Sequence, residues 1–335
     1  MRARATLLIS AGLMVGLLPS CKPRPRVPAW VQSAPADSVM AFSGEAGWMV
    51  SHKGFQSLLA QAPLAERALD LFLQKARINP ATETGRLTIH VVGVPQKGEQ
   101  GLDKGLGHVL IQLDQFKDPG ALMAALANAF PAEGLLRVVN RDWPLYVILD
   151  LDLQGVKAHI RAASDDQGQV WIGELSALQR LAAAGTLAAR PGVSAAAEWI
   201  SPRAPFQGYV QPEALIGGLQ KELPDLGNLR DLPRGIEALL WSVTPGATDQ
   251  QPFKFELALA GTPEGISQVT PWLQRLVAAA NAVQSTPGGT PPELLQEKRR
   301  VGFRASLTQA QLKLIMEKLG QPGFTLSALA GAPKA

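Results

Sequence analysis

Cysteine, histidine and tyrosine are all scarce in this chain of 335 residues, which holds one, four and two of them. The lone cysteine, Cys21, excludes an intramolecular disulfide and a zinc-thiolate site. The histidines are His52, His90, His108 and His159. A metal site would need them to converge from distant segments, and solvated strand residues are the simpler reading of His90 and His108. Also missing are a Gly-x-Ser-x-Gly elbow, a Walker phosphate loop, a His-Glu-x-x-His helix and an EF-hand loop, so the common catalytic signatures are absent. Excess charge of one sign is lacking as well: 32 basic against 28 acidic residues give +4. That balance does not suit a nucleic-acid binder. No cofactor and no metal are expected.

Long apolar runs are scarce too. The one that stands out runs from Ala5 to Leu18, behind Arg2 and Arg4. At about 14 residues it falls short of the roughly 20 that a spanning helix needs, and reads as the core of a cleaved secretory signal, residues 1–20. Leu18, Pro19, Ser20 and Cys21 follow at once. This tetrapeptide resembles the lipobox of bacterial lipoproteins: Leu18 and Ser20 match it, whereas Pro19 departs from the usual residue. The resemblance implies that Cys21 carries diacylglycerol on sulfur and a further acyl chain on its new amino group. Two or more chains hold a protein stably at a bilayer.

Residues 21–34 then read as a tether. Lys22, Pro23, Arg24, Pro25, Arg26 and Pro28 alternate cations with prolines, the pattern of a stiff polyproline II spacer. Lys22 follows the cysteine where aspartate would resemble an inner-membrane retention signal, so outer-membrane placement in the bacterial envelope is favoured.

The body is 46% hydrophobic and 18% charged, a globular composition. Val39 to Phe42 reads as a strand. Helical stripes follow at Phe55, Leu58, Leu59 and Ala62, and at Leu64, Ala65, Ala68, Leu69 and Phe72. Leu87, Ile89 and Val91 alternate with Thr88, His90 and Val92. Val109, Ile111 and Leu113 do the same beyond a loop holding Gly101, Gly105 and Gly107, which more often turns a hairpin than cradles phosphate. Asp118-Pro119 starts a helix with Leu122, Leu126 and Phe130 on one face. Leu145 to Leu151, a Gln154-Gly155 turn, and Val156 to Ile160 form a hairpin; a two-residue turn sets Asp150 opposite His159 and Asp152 opposite Lys157. Val170 to Ile172 leads to a helix for which Ser176 and Gln179 look like a capping box and Gly185 a stop.

After Pro205 the order restarts: a strand from Phe206 to Val210, a helix with Leu215, Ile216 and Leu219, and strands over residues 236–243 and 253–259. Thr262-Pro263 opens a helix with Pro271 as an internal kink, a Pro/Gly loop covers residues 286–292, and a strand from Val301 to Ala305 precedes a helix capped by Thr308 and Gln311. We therefore expect an α+β fold of two related halves, residues 35–200 and 201–325, each an antiparallel sheet with helices packed on one face. The second half lacks the extra hairpin, and residues 326–335 form a disordered tail. The Pro35-Ala36-Asp37-Ser38 opening and the Ile78-Asn79-Pro80 stop are similar to those of a group of uncharacterised bacterial exported proteins with duplicated α+β halves. That likeness implies no activity.

Asp150 and Asp152, with His159 opposite, form a polar face and are the best candidate carboxylate pair in the chain. The hairpin itself supplies Lys157, His159 and Arg161 as ordinary charge partners there, so no catalytic role is assigned. The expected function is a non-enzymatic binding or scaffold module, anchored to the membrane at Cys21 and partnered by another envelope protein. A carrier or sensor of an apolar small molecule or lipid is the alternative, and an unrecognised hydrolase the third.

Overall fold

A computed structural model describes residues 27–51, 85–93, 108–114, 118, 146–153, 156–164, 169–183, 185–212, 235–246, 252–283, 291–308 and 311. Cys21, His52, the stripes over residues 55–72, the glycine loop at 101–107, the helix after Pro119, Leu215 to Leu219 and the tail lie outside the described residues.

Among the described residues eleven strands form one continuous sheet: β1 (Ser38–Glu45), β2 (Arg86–Val92), β3 (Val109–Asp114), β4 (Tyr146–Leu153), β5 (Val156–Ser164), β6 (Val170–Gly173), β7 (Phe206–Val210), β8 (Ile236–Thr244), β9 (Phe253–Gly261), β10 (Glu293–Glu297) and β11 (Arg300–Leu307). Their order is β10-β11-β9-β8-β7-β1-β2-β3-β6-β5-β4, and every pairing is antiparallel. The α+β class expected from the alternating patterns is therefore present. The two expected sheets are instead a single one, because β1 pairs with β7 through residues 40–44 and 206–210.

Five described helices accompany the sheet: α1 (Ala29–Ser33), α2 (Ala46–Ser51), α3 (Leu175–Ala183), α4 (Pro191–Ala197) and α5 (Pro263–Val283). They do not share one face. Trp30 and Val31 of α1 and Val193, Ala196 and Ala197 of α4 pack with Ala41, Tyr209, Ala238, Leu240 and Ala258 on one side. Ile266, Val269, Leu273 and Ala280 of α5 pack with Leu257, Leu259, Val301 and Phe303, whose side chains alternate to the other side. Helices on one face only would have left half of each strand's apolar residues in water.

Local signals held in several places. Thr262 Oγ1 accepts from the Gly265 amide at 3.2 Å and Pro263 is the first residue of α5. Thr308 and Gln311 bond reciprocally, at 2.8 and 3.3 Å, as a capping box should. Gly185 has φ +67°, the left-handed backbone that ends a helix cheaply. The β4–β5 register sets Asp150 against His159 and Asp152 against Lys157, as the two-residue turn requires.

Other expectations need correction. Ser176 lies inside α3 and is not its cap, since the helix already begins at Leu175. The second half does carry a further strand: β10 pairs with β11, and its burial follows no two-residue alternation because it is an edge strand. Residues 27–34, assigned to the tether, belong to the body, where Trp30 and Val31 of α1 have no exposed surface.

Candidate binding face

Successive residues of a strand point to opposite faces, and paired residues on neighbouring strands share a face. On the α1 side this brings polar groups into one row. Trp171, Gln112, Thr88, Ser43, Gln207, Ser242, Glu256 and Arg304 are consecutive cross-strand partners from β6 to β11. Thr88, Ser43, Gln112, Gln207, Ser242 and Glu256 are all buried.

Burial of polar groups is tolerable only when they are bonded, and the row meets most of that demand. Ser43 Oγ lies 2.9 Å from Thr88 Oγ1 and accepts from Arg86 Nε at 2.6 Å, while the other arm of Arg86 donates to the Ala204 carbonyl. Gln207 accepts from the Trp30 indole and donates to the Ser201 carbonyl. Gln112 donates to Ser33 Oγ at 2.6 Å and to Gln169. Helix α1 is thus bonded to both β3 and β7, across the β1–β7 junction. Glu256, 3% exposed, accepts from Ser242 and from the Ser201 amide and pairs with Lys254 at 2.7 Å. Burial alone would raise its pKa, but Lys254, Ser242 and the Ser201 amide together hold it below the usual range.

Arg304 Nε, His90 and Asp114 are not fully satisfied. His90 is enclosed between the rings of Trp30 (6.4 Å) and Trp171 (5.7 Å). Its Nε2 faces Gln112 Oε1 at 3.0 Å, so Nε2 carries the proton and donates; Nδ1 is buried with no partner. Burial drives its pKa down to about 4, against the opposing bond from Gln112. Asp114, paired across strands with Arg86, has one buried oxygen without a partner. Burial raises its pKa to about 6 although Arg86 pulls the other way. The solvated histidines of the sequence reading are therefore overturned: His90 and His108 are both buried, and His108 Nδ1 lies 2.8 Å from the Val92 carbonyl.

The opposite face of the same strands reverses this pattern. Phe42 of β1 and Ile89 of β2 are direct cross-strand partners and are 39% and 36% exposed. They are the exposed large hydrophobic side chains among the described residues. Gly208, the partner of Phe42 on β7, leaves a gap that the Trp241 indole fills; a Cβ there would lie 2.3 Å from the ring. Trp241 stands 6.1 Å from Phe42 and 5.1 Å from Phe206, which in turn contacts Trp48 at 5.5 Å. The result is an apolar strip at the centre of the sheet, walled on one side by aromatic rings and on the other by aliphatic Ile89, Ile111 and Val91, themselves partly open to solvent.

Nothing in the sequence singled out this strip, because Phe42 and Ile89 look like ordinary core positions of alternating strands. Asp150 and His159 are direct cross-strand partners on β4 and β5, and Asp152 stands opposite Lys157. Among the described residues no three metal-ligating side chains gather, and no helix is long and apolar enough to cross a membrane. Comparison with known proteins gives no match, whether to a family model, a curated protein or a solved structure.

Proposed function

We propose that this chain is a non-enzymatic binding module of the bacterial envelope, held to the membrane by lipid on Cys21, and that it binds an apolar occupant through the strip around Phe42 and Ile89. The carrying observation is the exposure of these two paired side chains in the middle of a sheet, beside a run of aromatic rings. Large exposed apolar groups in contact with one another mark interaction sites, whereas single ones do not. The lipobox pattern at residues 18–21 supports the anchor, and the short span from Cys21 to α1 supports a body held near the bilayer.

The strand order also supports the duplicated halves read from the sequence. Strands β1, β2, β3 and β6 run outward from the junction on one side as β7, β8, β9 and β11 do on the other. Superposing the two sets tests that reading; unrelated backbone paths would end it.

Two experiments test the function. In cell fractionation, Cys21→Ala moves the body out of the membrane fraction; retention there as a lipid-labelled species removes the anchor. A photoreactive side chain placed at position 89 in intact cells gives a covalent adduct, while the same group at exposed Gln268 of α5 gives none. Equal yields at the two positions sink the binding role of the strip.

A further inference from the structure

We infer that residues 28–37 form a latch: α1, seated through Trp30 and Ser33, holds β1–β3 and β7–β9 together as one sheet, and its unseating releases the β1–β7 junction ahead of the rest of the fold. Placement, helix length and the chemistry of the floor beneath α1 carry the inference.

Among the described residues, β1–β7 is the one pairing that joins the strands of residues 38–173 to those of residues 206–307. Gln112, Thr88, Ser43 and Gln207 lie side by side on β3, β2, β1 and β7, across three strand spacings or about 14 Å. Trp30 and Ser33, three residues apart, share one side of a helical turn. They grip the two ends of that row: the Trp30 indole donates to Gln207, and Ser33 Oγ accepts from Gln112. Trp30 and Val31 also pack with Tyr209, Leu240 and Ala258 beyond the junction. The chain that follows is fastened at the other end, where the Ala34 carbonyl accepts from the Leu187 amide at 2.7 Å and Asp37 pairs with Arg180 of α3 at 2.8 Å. Arg86 crosses the junction too, to the Ala204 carbonyl, but it does so at the Glu45 end of β1 and leaves the middle to α1.

A seat of this kind opens as a unit. Five residues lie far below the roughly 12–15 that an isolated helix needs in water, and Pro28 supplies no side-chain cap. Once Trp30 leaves, nothing keeps α1 in shape. The floor also suits opening. Under α5 the sheet presents Leu257, Leu259, Val301 and Phe303, apolar surface that exposure penalises. Under α1 it presents the hydroxyls and amides of Ser43, Thr88, Gln112 and Gln207, which exchange one hydrogen-bond partner for another when water arrives. His90 Nδ1, buried with no partner, gains one. The unseated state is therefore reached at lower cost here than beneath α5. The chain enters the latch from before Pro28, so, resting on the reading of Cys21 as an anchor, a pull from the membrane falls on the Trp30 seat before it reaches any strand.

The test is native-state hydrogen exchange on the full-length chain, read by mass spectrometry in peptides covering residues 38–45, 206–210 and 300–307. It compares the unaltered protein with Trp30→Ala and with Leu273→Ala, which empties an equally buried position of α5. Trp30→Ala is expected to speed exchange in β1 and β7 about tenfold more than in β11, whereas Leu273→Ala shows no such preference. Trp30→Phe, which keeps a ring without the donor, shows the same order at smaller size and decides the matter if Trp30→Ala does not fold. An equal rise in all three segments overturns the latch, as does exchange in β1 and β7 that neither Trp30 variant accelerates. Repeating the comparison in a Cys21→Ala chain takes the anchor out of the test, so that failure of the anchor and failure of the latch are read separately.

Discussion

The two faces of β2 are made from the same seven residues and obey opposite rules. Arg86, Thr88 and His90 point toward α1 and are buried; Leu87, Ile89 and Val91 point the other way, and Ile89 is among the more exposed large apolar residues described. In an antiparallel sheet with one covered face, the usual outcome is apolar residues in and polar residues out. Here burial of the polar face is supported by partners on several distant elements, and the apolar face is left partly open. The contrast shows that polarity alone does not decide which face is covered, and that an exposed apolar face beside a satisfied polar one is the informative departure.

Removing the cover of the polar face should have the largest effect. Trp30→Ala takes away a fully buried ring and the donor to Gln207, and is expected to cost about 3–5 kcal/mol in urea unfolding. A loss below about 1 kcal/mol would mean that α1 merely rests on the sheet.

The next effect concerns pH. His90 has a folded pKa of about 4, below its ordinary 6.5, so the unfolded chain takes up its proton first and stability falls as pH drops from about 6.5 to about 4. Asp114 has the reverse sign. Its folded pKa of about 6 lies above the ordinary 3.8, so the folded chain takes up the proton first and stability rises as pH drops from about 6 to about 4. Each trend amounts to about 3 kcal/mol and the two nearly cancel. His90→Gln should therefore be more stable at pH 4.5 than at pH 7, and Asp114→Asn less stable, while the unaltered protein changes little through this pair. Parallel pH profiles in both variants would break the argument.

Gly208→Ala sharpens the comparison from the open side. Its methyl group would occupy the place of the Trp241 indole, so a destabilisation of about 1–3 kcal/mol is expected, together with a shift in tryptophan fluorescence. An unchanged spectrum would show that the ring is not held against β7. Smallest in stability is Phe42→Ser, at about 1 kcal/mol, since over a third of the ring is already in water. Its measurable consequence is the loss of crosslinking from position 89. A large loss of stability with crosslinking intact would assign Phe42 to the core and not to a binding strip.

Several features were legible in the residues because they are decided within a few positions of one another. Two-residue alternation located β2, β3 and β9; Thr262 with Pro263 and Thr308 with Gln311 marked helix starts; and the two-residue spacing between Leu153 and Val156 fixed the register of β4 against β5. Edge strand β10 escaped this reading, because one side of an edge strand need not alternate. Helix α1 escaped it too, since five residues carry too little periodicity and its prolines belong to the segment before it.

What the sequence determined alone is that β2 and β3 alternate between two unlike faces, and that Cys21 stands behind an apolar run that ends at Leu18. Which face would be covered was settled by tertiary structure. The reason lies in separation along the chain: Trp30 meets Gln207 across 177 residues, Arg86 reaches Ala204 across 118, and Gln112 reaches Ser33 across 79. Periodicity records that a face is polar, but only folding brings together the groups that allow it to be buried.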